Sequence, residues 1–264
     1  MKIGILSKRK GMLTGKLKEY FENTNFEVKI YTLDNLNIND SLLENDFFIL
    51  KSKKLFFLYA AYYIEANNIP VIPNPNLSYM QKNRIESHFL IKRAGLNVPD
   101  IFMGTPETLK ISFQTRDFPL ILKPIMGSGG QGILKIKSVE DLNFDHNNIL
   151  YLERYIAGEH YIAYFIGDEV CTLIKPPLSN EHVDMEKINT PDDIKKAIEK
   201  WRKYLDGHAL FGHLDMIREK VTNKLYIVDP GSFPEFSNWK CESPHIPKIC
   251  NLILSQFEKL KIKI

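Results

Sequence analysis

The stretch LILKPIMGSGGQGI at 120–133 ends an apolar run in Lys123 and continues with glycines at 127, 129, 130 and 132. Glycine tolerates positive φ and lets backbone N–H groups approach an anion. Lysine adds a point charge, so the pattern suits a phosphate. The order of its parts narrows the choice. A dinucleotide-binding loop opens a helix, but this one runs into GILKIKS (132–138), which alternates like a strand. A Walker loop carries its lysine after the glycines, and a protein-kinase loop carries it on the following strand. What is left is a lysine strand and a glycine hairpin that can fold over phosphates. Farther on, Asp215 in GHLDMI (212–217) and Asp229 in YIVDPGSFP (226–234) each follow an apolar run. Unpaired carboxylates there would be costly to bury, and Mg²⁺ takes carboxylate, water and phosphate oxygens. The two aspartates therefore predict a cation between or near them.

These residues need elements to hold them. KIGIL (2–6), FEVKIYTL (26–33), DFFIL (46–50) and IPVIP (69–73) read as strands, with helices over 13–22 and 52–68 between them. Such alternation predicts a parallel sheet with helical crossovers. Prolines and asparagines at 74–78 suggest a boundary, followed by one helix over 79–94 that stops at Gly95. Strands are expected at 118–125, 132–138, 149–156, 160–167, 169–175, 210–217 and 224–230. SVED (138–141) has the form of a capping box. An amphipathic helix is expected at 192–205, and a last helix after Pro247.

Composition sets outer limits. The 264 residues carry a net charge of only +3, which does not suggest a nucleic-acid surface but leaves an anionic ligand open. Three scattered cysteines indicate neither a disulfide framework nor a zinc site. The N-terminus lacks the long apolar core of a signal peptide, and the run LFFLYAAYYI (55–64) is too short to span a bilayer. A cytoplasmic protein without membrane partners is expected.

The ordered set of segments resembles the ATP-grasp superfamily over roughly residues 70–240. ILKPIMGSGGQG resembles its lysine strand and small glycine loop, and LERYIAGEHYIAYFIGDEV (152–170) its hinge. GHLDMI and YIVDPGSFP resemble its two metal-bearing strands, and NRIESHFLIKRAGLNVP (83–99) the helix opening its first ATP lobe. The resemblance implies an α/β fold with α+β lobes: an N-terminal parallel-sheet domain over 1–77, a first ATP-grasp lobe over 78–154 and a C-terminal lobe over 155–264. It implies ATP and Mg²⁺ as cofactors, with Mn²⁺ as a substitute. Lys123 and Arg84 (or its neighbour Lys82) would hold ATP phosphates under a loop that includes Gly129 and Gly130. Glu153, Tyr155 and Ile156 would serve as the adenine hinge, with Ile121 and Val228 as slot walls. The ribose position falls on His160 with Glu159 beside it, and Glu159 is favoured because a carboxylate accepts two hydroxyl hydrogen bonds. Asp215 and Asp229 would bind metal; Lys175, His213 and Ser128 are the catalytic candidates.

The sequence also departs from the family pattern. Where the family has Glu-x-Asn, this chain has Asp229-Pro230-Gly231, with Ser232 or Glu235 as compensating candidates; where some members have arginine, it has His213. Within the family the chain looks closest to the RimK-type ligases, which join a small-molecule carboxylate to an amine such as an amino acid through an acyl phosphate. VDPGSFPEF also resembles the metal strand of inositol-phosphate kinases, so phosphoryl transfer to a hydroxyl is an alternative. A nucleotide-binding protein without turnover is another. The sequence leaves open both the substrates and a homo-oligomeric state.

Overall fold

The computed structural model describes residues 1–127, 131–177 and 185–261. Four short strands, β1 (Lys2–Leu6), β2 (Glu27–Tyr31), β3 (Phe47–Leu50) and β4 (Val71–Ile72), form a parallel sheet in the order β2-β1-β3-β4. Helices α1 (Met12–Asn23) and α2 (Leu55–Ala66) provide crossovers, as the alternation predicts. Leu13, Leu17 and Phe21 recur at helical spacing and bury one stripe of α1.

The helix expected over 79–94 is instead two: α3 (Pro75–Met80) and α4 (Arg84–Arg93). Asn83 makes the break. Its side chain caps α4 by accepting from the N–H groups of Ile85 and Glu86 at 3.0 and 3.4 Å. It also bridges to Met126, and the Arg84 N–H donates to the Ile125 carbonyl at 2.9 Å. Arg84 is thereby pinned beside the segment that leads into the glycine loop. Gly95, at φ +72°, closes α4 as expected.

An antiparallel sheet follows, ordered β5-β8-β6-β7. It comprises β5 (Ile101–Gly104), β6 (Leu120–Lys123), β7 (Leu134–Ile136) and β8 (Leu150–Arg154), with α5 (Pro106–Ser112) after its first strand. The sequence reading anticipates neither β5 nor α5. β5 is a half-exposed edge strand without alternation, and α5 is less than two turns long. The last sheet is also antiparallel, ordered β11-β10-β9-β12-β13. Its strands are β9 (Gly158–Ile166), β10 (Glu169–Lys175), β11 (Glu186–Ile188), β12 (Phe211–Glu219) and β13 (Leu225–Gly231). Helix α6 (Asp192–Tyr204) buries Ile194, Ala197, Ile198 and Trp201 against it. Helix α7 (His245–Lys261) takes Pro247 into its first turn, where a missing N–H costs nothing.

The cores cross these sheet divisions. One joins Ile3, Phe21 and Phe47 of the first sheet layer to Ile162, Phe211, Ile249 and Phe257. A second packs Leu90 and Ile91 of α4 with Trp201 and Leu214. The β5–β8 sheet has its own smaller core around Leu120, Leu142 and Leu152. Among the described residues no helix is long and apolar enough to cross a membrane.

Candidate functional site

All three sheets meet at a cleft of about 770 Å³. The hairpin of β12 and β13 forms one wall. Asp215 and Asp229 are direct partners across it, and the register slips just beyond, so that Met216 faces Ile227 and Val228 is left over. Such a bulge turns backbone groups out of the ladder. The Val228 carbonyl accepts from Lys123 Nζ at 3.1 Å. Lys123 also donates to Glu153 Oε2 at 2.6 Å, and both side chains are 8% exposed. Each lies on a strand of the β5–β8 sheet, so this buried ion pair and its third bond tie that sheet to β13. The Tyr151 hydroxyl donates to the other oxygen of Glu153 at 3.0 Å, and burial together with the Glu153 charge raises its pKa.

The two aspartates are each matched by a cation. Arg84 reaches Asp229 at 2.5 Å and Lys175 reaches Asp215 at 3.3 Å. Burial is the largest single influence and works against both charges of the first pair, but the surrounding charges together outweigh it: Arg84, Lys123 and Lys53 hold Asp229 below the usual carboxylate range, and Asp229 and Glu153 raise Arg84. Arg84 Nε is buried without a partner among the described residues. Among the described residues no group of three or more His, Cys, Asp or Glu side chains is placed to hold a metal on its own. Two facing carboxylates suit an ion that brings phosphate oxygens and waters of its own, which is the Mg²⁺ pattern.

Gly231, at the position of the absent asparagine, sits directly across the hairpin from His213. A Cβ there would lie 2.0 Å from His213 Cε1 and 2.4 Å from its Nδ1. The imidazole therefore occupies the space a side chain at 231 would need, and the two departures from the family pattern are one structural change. His213 lines the cleft, and its Nδ1 is buried without a partner among the described residues. Ser232, suggested as a replacement ligand, is buried, does not line the cleft, and has a hydroxyl without a partner among the described residues. Glu235 lines the cleft but is paired with Lys51 at 2.9 Å.

Tyr155 and Ile156 leave the β8 ladder and line the cleft with Ile121 and Val228. The Tyr155 N–H is taken by the Pro119 carbonyl, and Lys135 sits 3.8 Å over its ring. His160 lines the same wall, opposite Lys175 in the β9–β10 register. Burial and the Lys175 charge lower its pKa. Glu159, the carboxylate favoured for the ribose, is exposed and does not line the main cleft; its oxygen takes the Tyr161 hydroxyl instead. Ser128, Gly129 and Gly130 lie outside the described residues.

Sequence reasoning missed one region. Ser7–Gly11 and Lys51–Lys54 continue β1 and β3 into the far end of the cleft, where Lys82 joins them. Lys53 is half-buried; burial pushes it down to about 8 against the opposing pull of Asp229, and Arg84, Lys82 and Lys51 push it the same way. The available signal was the pair of cationic runs SKRKG and KSKK, each directly after a predicted strand.

Residues 82–196 match the family model described as an ATP-grasp domain. A curated relative, N5-carboxyaminoimidazole ribonucleotide synthase of Aquifex aeolicus (strain VF5), is 30% identical over 99 residues, which cover 35% of this chain and 27% of that protein. The match thus spans about a quarter of that relative's length. Among solved structures, a RimK domain ATP-grasp protein from Sphaerobacter thermophilus superposes with a TM-score of 0.79 at 10% identity, over 96% of this chain and 99% of that one. D-alanine–D-alanine ligase from Bacillus anthracis gives 0.71 at 17% identity, over 100% and 99%. At such identities the likeness is one of fold.

Proposed function

We propose that this chain, which has the ATP-grasp fold and belongs with that superfamily through the match over 82–196, is an ATP- and Mg²⁺-dependent ligase that joins a carboxylate to an amine. The observation that carries the reading is the convergence of Lys123, Arg84 and Lys175 with Asp215 and Asp229 on one cleft. In this reading residues 1–77 face the substrate, 78–154 cover the nucleotide and 155–264 carry the metal-binding carboxylates.

Tyr155, Ile156, Ile121 and Val228 supply the flat apolar slot for adenine. Lys123 is held at the phosphates by Glu153 and the Val228 carbonyl, and Arg84 and Lys175 add charge beside it. Asp215 and Asp229 would hold Mg²⁺, which supplies charge neutralisation at the transferring phosphoryl group. Orientation and electrostatics supply most of the catalysis in phosphoryl transfer. A substrate carboxylate oxygen bonds to the γ-phosphorus and ADP leaves. The amine nitrogen then bonds to the acyl carbon, inorganic phosphate leaves, and the amine gives up a proton. His213, which lines the cleft, would steady the acyl phosphate in this reading.

A second reading, phosphoryl transfer to a hydroxyl, draws on the Asp229, Phe233 and Pro234 pattern, whose residues all line the cleft. One experiment separates the readings. The protein is incubated with γ-labelled ATP, Mg²⁺ and a small-molecule extract, beside a Lys123→Ala control. Extract-dependent label in free phosphate supports the ligase; label on an organic product supports the kinase. No transfer despite measured ATP binding would leave a nucleotide-binding protein without turnover.

A further inference from the structure

The four carboxylates lining the cleft each have their own cation: Glu153 has Lys123, Asp215 has Lys175, Asp229 has Arg84 and Glu235 has Lys51. Five cleft cations remain without a carboxylate partner among the described residues: Lys8, Arg9, Lys53, Lys54 and Lys82. All lie at the end of the cleft away from the adenine slot, on the loops after β1 and β3 and at the α3–α4 break.

Topology makes this end a site rather than a scatter of charge. The order β2-β1-β3-β4 reverses direction between β1 and β3. In open α/β sheets ligands bind beyond the carboxyl ends of the strands at that switch point. Here the two loops are tied together, because the N–H groups of Lys51 and Ser52 both donate to the Leu6 carbonyl at 2.9 and 3.0 Å. Gly11 lines the cleft as the N-cap of α1, which has neither a side-chain cap nor an acidic residue in its first turn. Its first N–H groups are thus left for an anion. Of these cations Lys53 feels the pull of Asp229, which already has Arg84 as its ion-pair partner, so positive charge stays in excess here; gathered like charges repel one another and focus potential into a cleft. A bound anion relieves that repulsion.

We propose that this end of the cleft binds an oxyanion of the substrate, a phosphate or a second carboxylate distinct from the carboxylate that is activated, through Lys8, Arg9, Lys53 and Lys82. The substrate class is then a small polyanionic acid. This rests on the ligase reading for the identity of the reacting group, but the anion site is tested apart from it.

The full chain is saturated with Mg–AMPPNP, to fill the nucleotide end, and titrated calorimetrically with inorganic phosphate and, separately, with citrate. We expect saturable one-to-one binding of at least one of them, weakened several-fold between low and physiological salt. The variant Arg9→Ala/Lys53→Ala should lose at least tenfold in affinity for the anion and less than twofold for AMPPNP. Lys82→Ala is a second, single-site check, and melting curves verify that each variant folds. Tighter phosphate binding points to a phosphate ester, and tighter citrate binding to a polycarboxylate; either supports the site. Absence of saturable binding overturns it. So does binding that survives Arg9→Ala/Lys53→Ala but vanishes in Lys123→Ala, because the anion would then sit at the nucleotide end. If AMPPNP itself does not bind, the ligase reading falls, and the same titrations without nucleotide still decide the anion site.

Discussion

Replacing Lys123 with methionine keeps most of the unbranched side chain and removes its charge. In the native protein that charge faces Glu153 at 2.6 Å, with both side chains 8% exposed. Removing one member of a buried ion pair leaves the other uncompensated and costs about 3–5 kcal/mol. Unfolding entropy of about 2.1 cal/mol/K per residue gives about 0.55 kcal/mol/K for 264 residues, so the melting temperature should fall by about 5–9 °C. Adding Glu153→Gln removes the stranded carboxylate and leaves an amide that still accepts from Tyr151. The double variant should therefore recover most of the loss, since neutral replacements of buried pairs are often close to neutral in stability. Mg–AMPPNP at a hundredfold excess over its Kd should stabilise the native chain by about 2.7 kcal/mol, an upward shift of about 5 °C by the same conversion. If Lys123 contacts the phosphates as proposed, both variants should lose that increment. Thermal melts with and without nucleotide read all of this. A single variant melting within about 2 °C of the native chain, or a double variant no better than the single, refutes the energetic argument. A nucleotide-dependent shift retained by the double variant removes Lys123 from the phosphates.

Gly231→Asn restores the family's residue but drives a Cβ into the His213 ring, so it should destabilise by about 1–3 kcal/mol, as overpacking does; His213→Ala in the same chain should restore the melting temperature, and failure to do so separates the two positions. Asp229 has a depressed folded pKa, since Arg84, Lys123 and Lys53 outweigh the upward push of burial. Its share of stability is therefore present above its ordinary value of 3.8 and is lost as pH falls through the lower folded value. Asp229→Asn should flatten the acid limb of the stability curve below about pH 4; urea midpoints at several pH values check this, and an unchanged limb counts against it. Asp215→Asn should weaken nucleotide binding in Mg²⁺ more than in EDTA. Equal losses in the two titrations would take the metal role away from this carboxylate.

The sequence made the long periodic elements legible because their burial is local information. α6 and α1 show their apolar stripes, and β9, β10, β12 and β13 alternate or run apolar between clear turns, whereas β11, three mostly exposed residues, goes unread. The break at Asn83 carries no glycine or proline, only a cap residue with Glu86 three positions on, a signal the reading of one continuous helix passed over. It depends on Asn83 capping a helix and bridging to Met126, more than forty residues away. That Lys123, Asp215 and Asp229 belong to one cleft could be anticipated from residue type and order. The His213–Gly231 exchange could not, because it exists only in the register of the β12–β13 hairpin. The cationic end of the cleft was hidden for a similar reason. Lys8, Arg9 and Lys53 are ordinary surface residue types until the topology sets β1 beside β3.

The shared core of the first sheet and the last helix has a consequence for synthesis. Phe47 of β3 and Phe257 of α7 stack with ring centroids 4.4 Å apart, and α7 packs on the same cluster as Ile3, Ile5 and Phe21. The two rings are separated by 210 positions in the chain, 257 less 47. A ribosome adding about 5–20 residues per second needs about 10–40 s to cover that interval. For that time the nascent N-terminal sheet lacks the helix that seals one of its faces, and the apolar surface around Phe47 is left for a chaperone or a neighbouring chain. A release of synthesis before residue 245 would leave that surface without its helical cover, however well the rest of the chain had folded.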